Sequence, residues 1–368
     1  MTDFYWELPT RGDGRRVTTE LGTRGGFGVG TPHSVATDLR PGRFGPFDEL
    51  AQVIHAAELS GVDGVVAGYD PSGEESWIVA AAALRQTRHA RVAVEFHPAF
   101  GTPVYASKMS ATLQRLSGGR LEWRLAVETD PADARSRGDR VTGRDRYARA
   151  AEFLTVARGV WNDEEILPGG FGGTGYEFAG DYYDVIDGGF RGILSGLPFP
   201  VVHLTGDSED ALALSARHGD VHQFALTESG FEGPAKTLAA LAREHGRSVR
   251  TLLRVPVIAR ETSDEAWARV ERLWREVHPG PGIDDPRALD RGESRWAGFD
   301  RLGHPQSIGL VGSYEDVARQ LSSLRERGAD GFVLLGRPHI EELHRAGEHL
   351  LHLVDPAGRT LATQEAHS

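Results

Sequence analysis

Hydrophobic positions along this chain repeat in one pattern: a short β-branched run, a turn, then a longer stretch in which apolar residues recur every three or four positions. The short runs predict strands at 4–9, 64–68, 91–98, 121–127, 201–205, 221–226, 252–259 and 331–335. The longer stretches predict helices at 47–59, 75–85, 103–116, 144–161, 208–218, 234–245, 263–277, 314–327 and 340–354. Ser208 before Glu209 reads as an N-cap, because its hydroxyl can accept an N–H of the first turn, and Gly219, Gly246 and Gly328 read as helix stops. Near-equal strand–helix units predict an α/β fold, a (β/α)8 TIM barrel, since eight parallel strands is the number that closes one. A doubly wound sheet is the alternative, and it rarely holds so many parallel strands.

Two stretches break the alternation: 162–200, rich in Gly, Asp and Tyr, and 278–308, rich in Pro, Gly, Asp and Arg. Both are expected to be insertions in a single domain spanning 1–368, because long loops beyond the C-terminal strand ends shape the mouth of a barrel. The second follows the helix after the seventh strand and is expected to be a mobile lid, with a disordered surface excursion as the alternative. Residues 356–368 read as a flexible tail.

Charge and composition then narrow the chemistry. The 368 residues hold 41 Lys and Arg against 53 Asp and Glu, a net charge of −12, with no basic run interleaved with aromatics, which argues against nucleic acid as a partner. Zero cysteines exclude a disulfide scaffold, a thiolate metal site, a Cys nucleophile and an iron–sulfur cluster, so redox chemistry would need a borrowed cofactor. No apolar stretch approaches the roughly 18 residues of a membrane span, and a cytoplasmic protein without a membrane partner is expected.

A Walker A loop, a His-Glu-x-x-His zinc pair and a G-x-S-x-G nucleophile elbow are all missing. His339 and His344 are spaced to spread around a helix, and no metal site is expected. One dinucleotide-like string, Gly170-x-Gly172-x-x-Gly175, lies between Ile166-Leu167-Pro168 and Tyr176-Glu177-Phe178, without the strand and helix that such a fingerprint needs, and reads as a loop. More informative is Thr205-Gly206-Asp207-Ser208, which closes the fifth strand and opens a helix. There Gly206 would let the backbone approach a ligand, and the helix N-terminus would favour a phosphate. A plain N-cap at Ser208 is the alternative, and Asp207 argues for it, since a carboxylate repels a phosphate. Thr10, Arg11, Tyr69, His97, Glu128, Thr129, Arg337 and His339 are the other polar residues at predicted C-terminal strand ends, where the mouth of a barrel lies.

Several segments resemble the bacterial luciferase-like, flavin-dependent monooxygenases, and among them the alkanesulfonate monooxygenases. They are Trp6-Glu7-Leu8-Pro9-Thr10-Arg11-Gly12-Asp13-Gly14, Glu75-Ser76-Trp77, the stretch from Ala111 to Arg120, Asp145-Arg146-Tyr147 with Glu152-Phe153, and Phe178-x-Gly180-x-Tyr182-Tyr183. Further on come Arg260-Glu261-Thr262-x-Asp264-Glu265-Ala266-Trp267, Leu310-Val311-Gly312 and Pro338-His339-x-Glu341-Glu342. The resemblance implies reduced FMN as cofactor, delivered by a separate NAD(P)H:flavin reductase. It also implies O2 adding to the reduced flavin to give a peroxyflavin, a small-molecule substrate, and a homodimer or homotetramer. Tyr147, Gly206 and Ser208 match the family's phosphate contacts, with Asp207 a departure among them; Glu128 and Thr129 match positions along the flavin.

The pocket departs from the alkanesulfonate pattern. Where those enzymes have a Cys after strand two, a His beside an Arg on strand seven, an Arg in the lid and a Tyr before the Pro-His, this chain has Gly73, Pro256 beside Arg254, Gly303 and Arg337. Three of these changes remove side-chain hydrogen bonding, and the fourth replaces a weak acid by a permanent cation. The expected catalytic group is therefore Arg254, Arg337, His97 and His339, acting on an acidic or strongly polar organic substrate rather than a simple alkanesulfonate. Arg254 and Arg337 would pair with the substrate anion or a flavin phosphate, or lie in structural salt bridges. Two other functions stay open: hydride transfer with a deazaflavin or flavin on the same fold, and a non-catalytic flavin-binding paralogue.

Overall fold

The structure, a computed structural model, describes residues 2–10, 46–161, 175–190, 197–278 and 284–359. Eight parallel strands form a (β/α)8 barrel: β1 (Asp3–Glu7), β2 (Gly64–Ala67), β3 (Arg91–Phe96), β4 (Leu121–Leu125), β5 (Val201–Thr205), β6 (Val221–Ala225), β7 (Arg250–Arg260) and β8 (Gly331–Leu335). Every strand expected from the sequence is present; β2 and β8 are apolar along their length, as a parallel strand covered on both faces is expected to be, while β4 alternates and buries Glu122 and Arg124, and β6 buries His222 and Gln223. Between them run α1 (Pro46–Ser60), α2 (Ser76–Gln86), α3 (Pro103–Ser117), α4 (Asp145–Trp161), α5 (Glu209–His218), α6 (Glu232–Glu244), α7 (Ser263–Val277), α8 (Tyr314–Glu326) and α9 (His339–Arg345). None of the described helices is long and apolar enough to cross a membrane.

Two compact units make up the chain: Met1–Val65 with Ala225–Glu232 and Leu252–Ser368, and Val66–Phe224 with Gly233–Thr251. In the first, β1 lies parallel to β8, with Phe4 opposite Phe332, and β8 lies parallel to the first half of β7, with Phe332 opposite Leu253. The second half of β7 instead pairs in parallel with Gly309–Ser313, which takes Arg295–Trp296 of the second insertion as an antiparallel neighbour. Trp296 and Phe299 are fully buried with Val270 and Trp274 of α7 and with Val311. Ring centroids lie 6.0 Å apart for Trp296–Trp274 and 5.0 Å for Trp296–Phe299. The described part of this insertion thus adds two large rings to a core beneath α7, hidden in the sequence among Pro, Gly and charge. Residues 279–283 of the expected lid lie outside the described residues.

The helix expected at 340–354 is broken after α9 by a π-helical turn, Ala346–Leu350, followed by Leu351–Val354. A Cβ at Gly347 would stand 2.5 Å from the Ser60 carbonyl oxygen, so glycine is what lets this turn approach the end of α1. Of the expected tail, Ala357–Arg359 forms a 3-10 turn with Arg359 Nη2 2.6 Å from Asp63 Oδ2, and 360–368 lie outside the described residues.

In the second unit β3, β4, β5 and β6 are joined in order, all parallel. Trp123 on β4 is buried against Phe96, Phe153 and Phe199, and its Nε1–H donates to Ser110 Oγ at 2.8 Å. Arg120 donates to the carbonyls of Leu84, Thr87 and Ala90, which would otherwise be left open at the end of α2. Gly118, with φ +69°, caps α3 just before it. The Gly-Gly-Arg of the family-like stretch is therefore a structural splice. Of the first insertion, 175–190 form a hairpin, Tyr176–Ala179 with Asp184–Gly188, whose bend is held by Glu152 accepting from the backbone N–H groups of Asp181, Tyr182 and Tyr183. A strand rather than a helix thus follows Gly175; Gly170 and Gly172 lie outside the described residues.

Candidate active site

Two clusters of polar side chains stand at C-terminal strand ends, one in each unit. In the second unit, β5 ends at Thr205 and the chain turns through Gly206 with φ +106°. A Cβ there would lie 2.9 Å from the Ala211 side chain and 3.3 Å from Glu128 Oε1, so the turn is left-handed, closely packed and tolerant only of glycine. Ser208 then caps α5, its Oγ accepting from the Ala211 N–H at 3.2 Å. Tyr147, in the first turn of α4, brings its hydroxyl to 3.1 Å from Ser208 Oγ. Both hydroxyls donate to one carboxylate, Glu128: Tyr147 Oη directly, and Ser208 Oγ at 3.2 Å. Burial and this carboxylate push the Tyr147 phenol up to about 12, so it remains a donor at any physiological pH.

Tyr147, Gly206 and Ser208, the residues matched to phosphate contacts, thus lie together, with Glu128, matched to a position along the flavin, among them. A glycine cradle at a helix N-terminus with two hydroxyl donors already aimed at an anion, the Glu128 carboxylate standing in for it, has the donor set a phosphate needs. Acidic neighbours oppose it: Asp207 and Glu209 are exposed beside the turn, while Arg144 is held 3.0 Å from both carboxylate oxygens of Asp210. Glu128 is exposed and can turn to solvent, so the residues fit the phosphate once that side chain yields.

Thr129 is placed differently. Its Oγ1 is 3.2 Å from His97 Nε2, and its carbonyl accepts from Arg146 Nη1 at 2.8 Å. His97 Nδ1 accepts the Ala99 N–H at 3.0 Å, so the ring proton sits on Nε2 and donates to Thr129. Burial first, then the charge of Arg149, pushes His97 down to about 4. Arg149 forms a buried two-point ion pair with Asp139, both bonds 2.7 Å. Of the four expected catalytic side chains, His97 has both ring nitrogens engaged inside its own unit.

The other three lie in the first unit. Arg254 on β7 donates from Nη2 to Glu7 Oε2 at 2.6 Å, and its carbonyl accepts from Gln306 Nε2 at 2.7 Å. Arg337 follows β8, and a Cβ on Gly303 would be 3.3 Å from its Nη1. His339, the first residue of α9, is buried and accepts the indole N–H of Trp6 on Nδ1 at 3.1 Å. Indole only donates, so the His339 proton must sit on Nε2, a buried atom without a hydrogen-bond partner among the described residues. Burial, then Arg337, then His304 push His339 down to about 3; burial and then Arg337 do the same to His304. Both rings are neutral donors or acceptors near neutral pH.

Sequence reasoning overlooked Glu7, Trp6 and His304 as members of this cluster. Trp6 and Glu7 stood only in a family-like string, and His304 sits in an aperiodic stretch where nothing local marks it. Glu342, two residues into the Glu-Glu pair, is committed to Arg260 at 2.6 and 2.9 Å. Thr10 is buried, Tyr69 donates from Oη to Asp133 Oδ2 at 2.9 Å, and Arg11 lies outside the described residues.

The model of a family described as luciferase-like monooxygenase matches residues 24–338. Among solved structures, the chain is similar to the EDTA monooxygenase EmoA from Chelativorans sp. BNC1, with 20% identity and a TM-score of 0.66 over 97% of this chain and 94% of that one. It is also similar to the riboflavin lyase RcaE, solved with modified FMN and the substrate riboflavin (18%, 0.71, 98% and 93%). The coenzyme F420-dependent tetrahydromethanopterin reductase from Methanopyrus kandleri is a third such neighbour (14%, 0.64, 95% and 98%). At these identities what is shared is the fold.

Proposed function

The chain belongs to the luciferase-like monooxygenase family, and from that premise we propose that it is a two-component monooxygenase. It takes reduced FMN from a separate flavin reductase and uses O2 to oxygenate a small or medium organic substrate. The observation that carries this reading is the convergence of the Tyr147 and Ser208 hydroxyls on one anion above Gly206 at the start of α5. Tyr147, Gly206 and Ser208 would hold the phosphate, with Thr129 along the flavin and Glu128 giving up the two hydroxyls to the phosphate. Bound there, reduced FMN supplies the two electrons with which one oxygen atom enters the substrate and the other leaves as water.

The chain's own residues then bind, orient and keep water out. Arg337 offers a planar fork for a carboxylate or similar anion, and Arg254 is held in place by Glu7. His339 presents a buried Nε2–H, fixed in that tautomer by Trp6, which suits an oxygen carrying negative charge. The second insertion, anchored beneath α7 by Trp296 and Phe299, supplies Gly303 and His304 and is taken as the wall that keeps water from this cluster. The substrate is accordingly an acidic or strongly polar organic molecule. Gly73, Pro256 and Gly303 offer no side-chain donor to a sulfonate, and simple alkanesulfonates are expected to be turned over poorly.

Anaerobic titration separates this function from its rivals. Reduced FMN is expected to bind more tightly than oxidised FMN, and admission of air with a panel of small acids is expected to give substrate-coupled oxygen uptake. Binding of a deazaflavin in preference to FMN would make the protein a hydride-transfer enzyme instead. Flavin binding without oxygen uptake on any acid would make it a non-catalytic paralogue, and efficient sulfite release from a plain alkanesulfonate would overturn the substrate class.

A further inference from the structure

Behind the Gly206 turn stands a buried imidazole, and we infer that His222 is the positioning residue that holds this turn in the shape a phosphate needs. His222 lies on β6 and is fully buried. Its Nε2 is 2.8 Å from the Gly206 carbonyl oxygen and its Nδ1 is 3.0 Å from Ser215 Oγ. A carbonyl only accepts, so Nε2 carries the ring proton and Nδ1 accepts from the Ser215 hydroxyl. Burial, opposed by the Gly206 bond and by Asp207, keeps the ring neutral by pushing it down to about 4. One side chain therefore ties β6 both to the turn that precedes α5 and to the body of α5 itself.

The consequence for the seat follows from peptide geometry. Gly206, at φ +106°, is the residue with the least conformational preference of its own, and nothing in its side chain holds the turn. In a planar trans peptide the carbonyl and the following N–H point in opposite directions. Holding the Gly206 carbonyl inward on His222 aims the Asp207 N–H outward, on the side away from the core, where a helix N-terminus offers donors to an anion. An ordered donor set there loses less freedom on binding than a turn free to flip.

This inference rests on the reading of the turn as the flavin-phosphate seat, and it differs from a plain core-histidine role in what it protects. A core histidine supports stability; a positioning histidine supports discrimination between FMN and riboflavin, which differ only by the phosphate. His222→Gln keeps an amide N–H at the reach of Nε2 and loses the acceptor for Ser215, whereas His222→Asn keeps an acceptor at the reach of Nδ1 and loses the donor to Gly206. Dissociation constants for reduced FMN and reduced riboflavin are to be measured anaerobically on the full chain, with Tm alongside.

Wild type is expected to prefer FMN. In His222→Asn the affinity for FMN should fall by about tenfold with that for riboflavin unchanged, while His222→Gln should retain most of the preference. Ser215→Ala should lower Tm and leave the preference intact. Should the Asn variant not fold, the 15N signal of His222 Nε2 in the wild type gives a second readout, expected to shift on addition of reduced FMN and to stay in place with riboflavin. Equal losses in Asn and Gln, a parallel fall in riboflavin affinity, or an unmoved Nε2 signal would overturn the role of His222 alone. A wild type indifferent to the phosphate would overturn the seat itself, and the positioning role with it.

Discussion

The cluster around Gly206 and the cluster around Arg337 are built on opposite plans. Around Gly206 the geometry belongs to the backbone: a left-handed glycine, a helix N-terminus and two hydroxyls, set among exposed carboxylates. Around Arg337 the geometry belongs to side chains drawn from β1, β7, the second insertion and α9, with two neutral histidines depressed by burial and by the same guanidinium. A backbone-built seat depends least on the side chains that face the ligand and most on whatever holds the turn from behind, here His222 on the Gly206 carbonyl. A side-chain-built cluster depends on the core that brings four distant segments together, and on each partner that sets a tautomer or a charge.

The largest effect expected from breaking this contrast is at Trp296, which anchors the insertion that brings His304 and Gly303 into the second cluster. Trp296→Ala should cost about 3–5 kcal/mol of stability, read as a lowered Tm. Its damage should fall on substrate binding before flavin binding; equal loss of both would show that the two clusters are not independent. Next comes Arg337→Ala, which should raise KM for an acidic substrate by roughly ten- to hundredfold, the worth of a charge-assisted hydrogen bond of about 1.5–3 kcal/mol, with the affinity for FMN unchanged. A lowered Tm with an unchanged KM would make Arg337 a structural cation.

A smaller effect, and in the opposite direction, is expected at Glu128. Because its carboxylate takes both hydroxyls that a phosphate would need, Glu128→Gln should tighten FMN binding by a few-fold, about 1 kcal/mol, and leave riboflavin binding alone. Weaker FMN binding would mean that Glu128 orders the seat rather than competes for it.

The smallest effect is that of pH between about 7 and 8.5, where His97 and His222 in one unit and His304 and His339 in the other are all neutral in the folded protein. Their folded pKa values, about 4 and about 3 respectively, lie below the unfolded value of about 6.5. As pH falls through about 6.5 the unfolded chain binds protons first. Stability conferred by the neutral rings is therefore complete above that pH and is lost progressively down to about 3–4. Equilibrium unfolding followed against pH should show no histidine-linked change above about 7 and a decline below about 6.5; a rise in stability on acidification would contradict these burials.

Much of the scaffold and part of the site were legible in the amino-acid order. Every barrel strand but β4, where Glu122 and Arg124 alternate with Leu and Trp, carries consecutive apolar residues, the long helices repeat at their own period, and Thr205-Gly206-Asp207-Ser208 announced a turn and a cap by residue type alone. These signals are local, because hydrogen bonding within a helix links residues four apart and an apolar run marks a strand as one to be buried without stating which strands cover it. Even so, Gly219 stops α5 in an extended conformation, φ −79°, where a left-handed cap is the usual reading of such a glycine.

Only the tertiary structure decided which side chains meet. That the Glu128 carboxylate takes the hydroxyls of Tyr147 and Ser208, that His222 reaches back to the Gly206 carbonyl, and that Trp6 fixes the proton of His339 from 333 positions away are long-range facts. So is the burial of Trp296, within a stretch whose composition reads as solvent-exposed loop. Periodicity states which face of an element is buried but not what it is buried against. Hydrogen-bond partners, tautomers and shifted pKa values depend on distances of about 3 Å between atoms, and those distances exist only once the strands have been brought side by side.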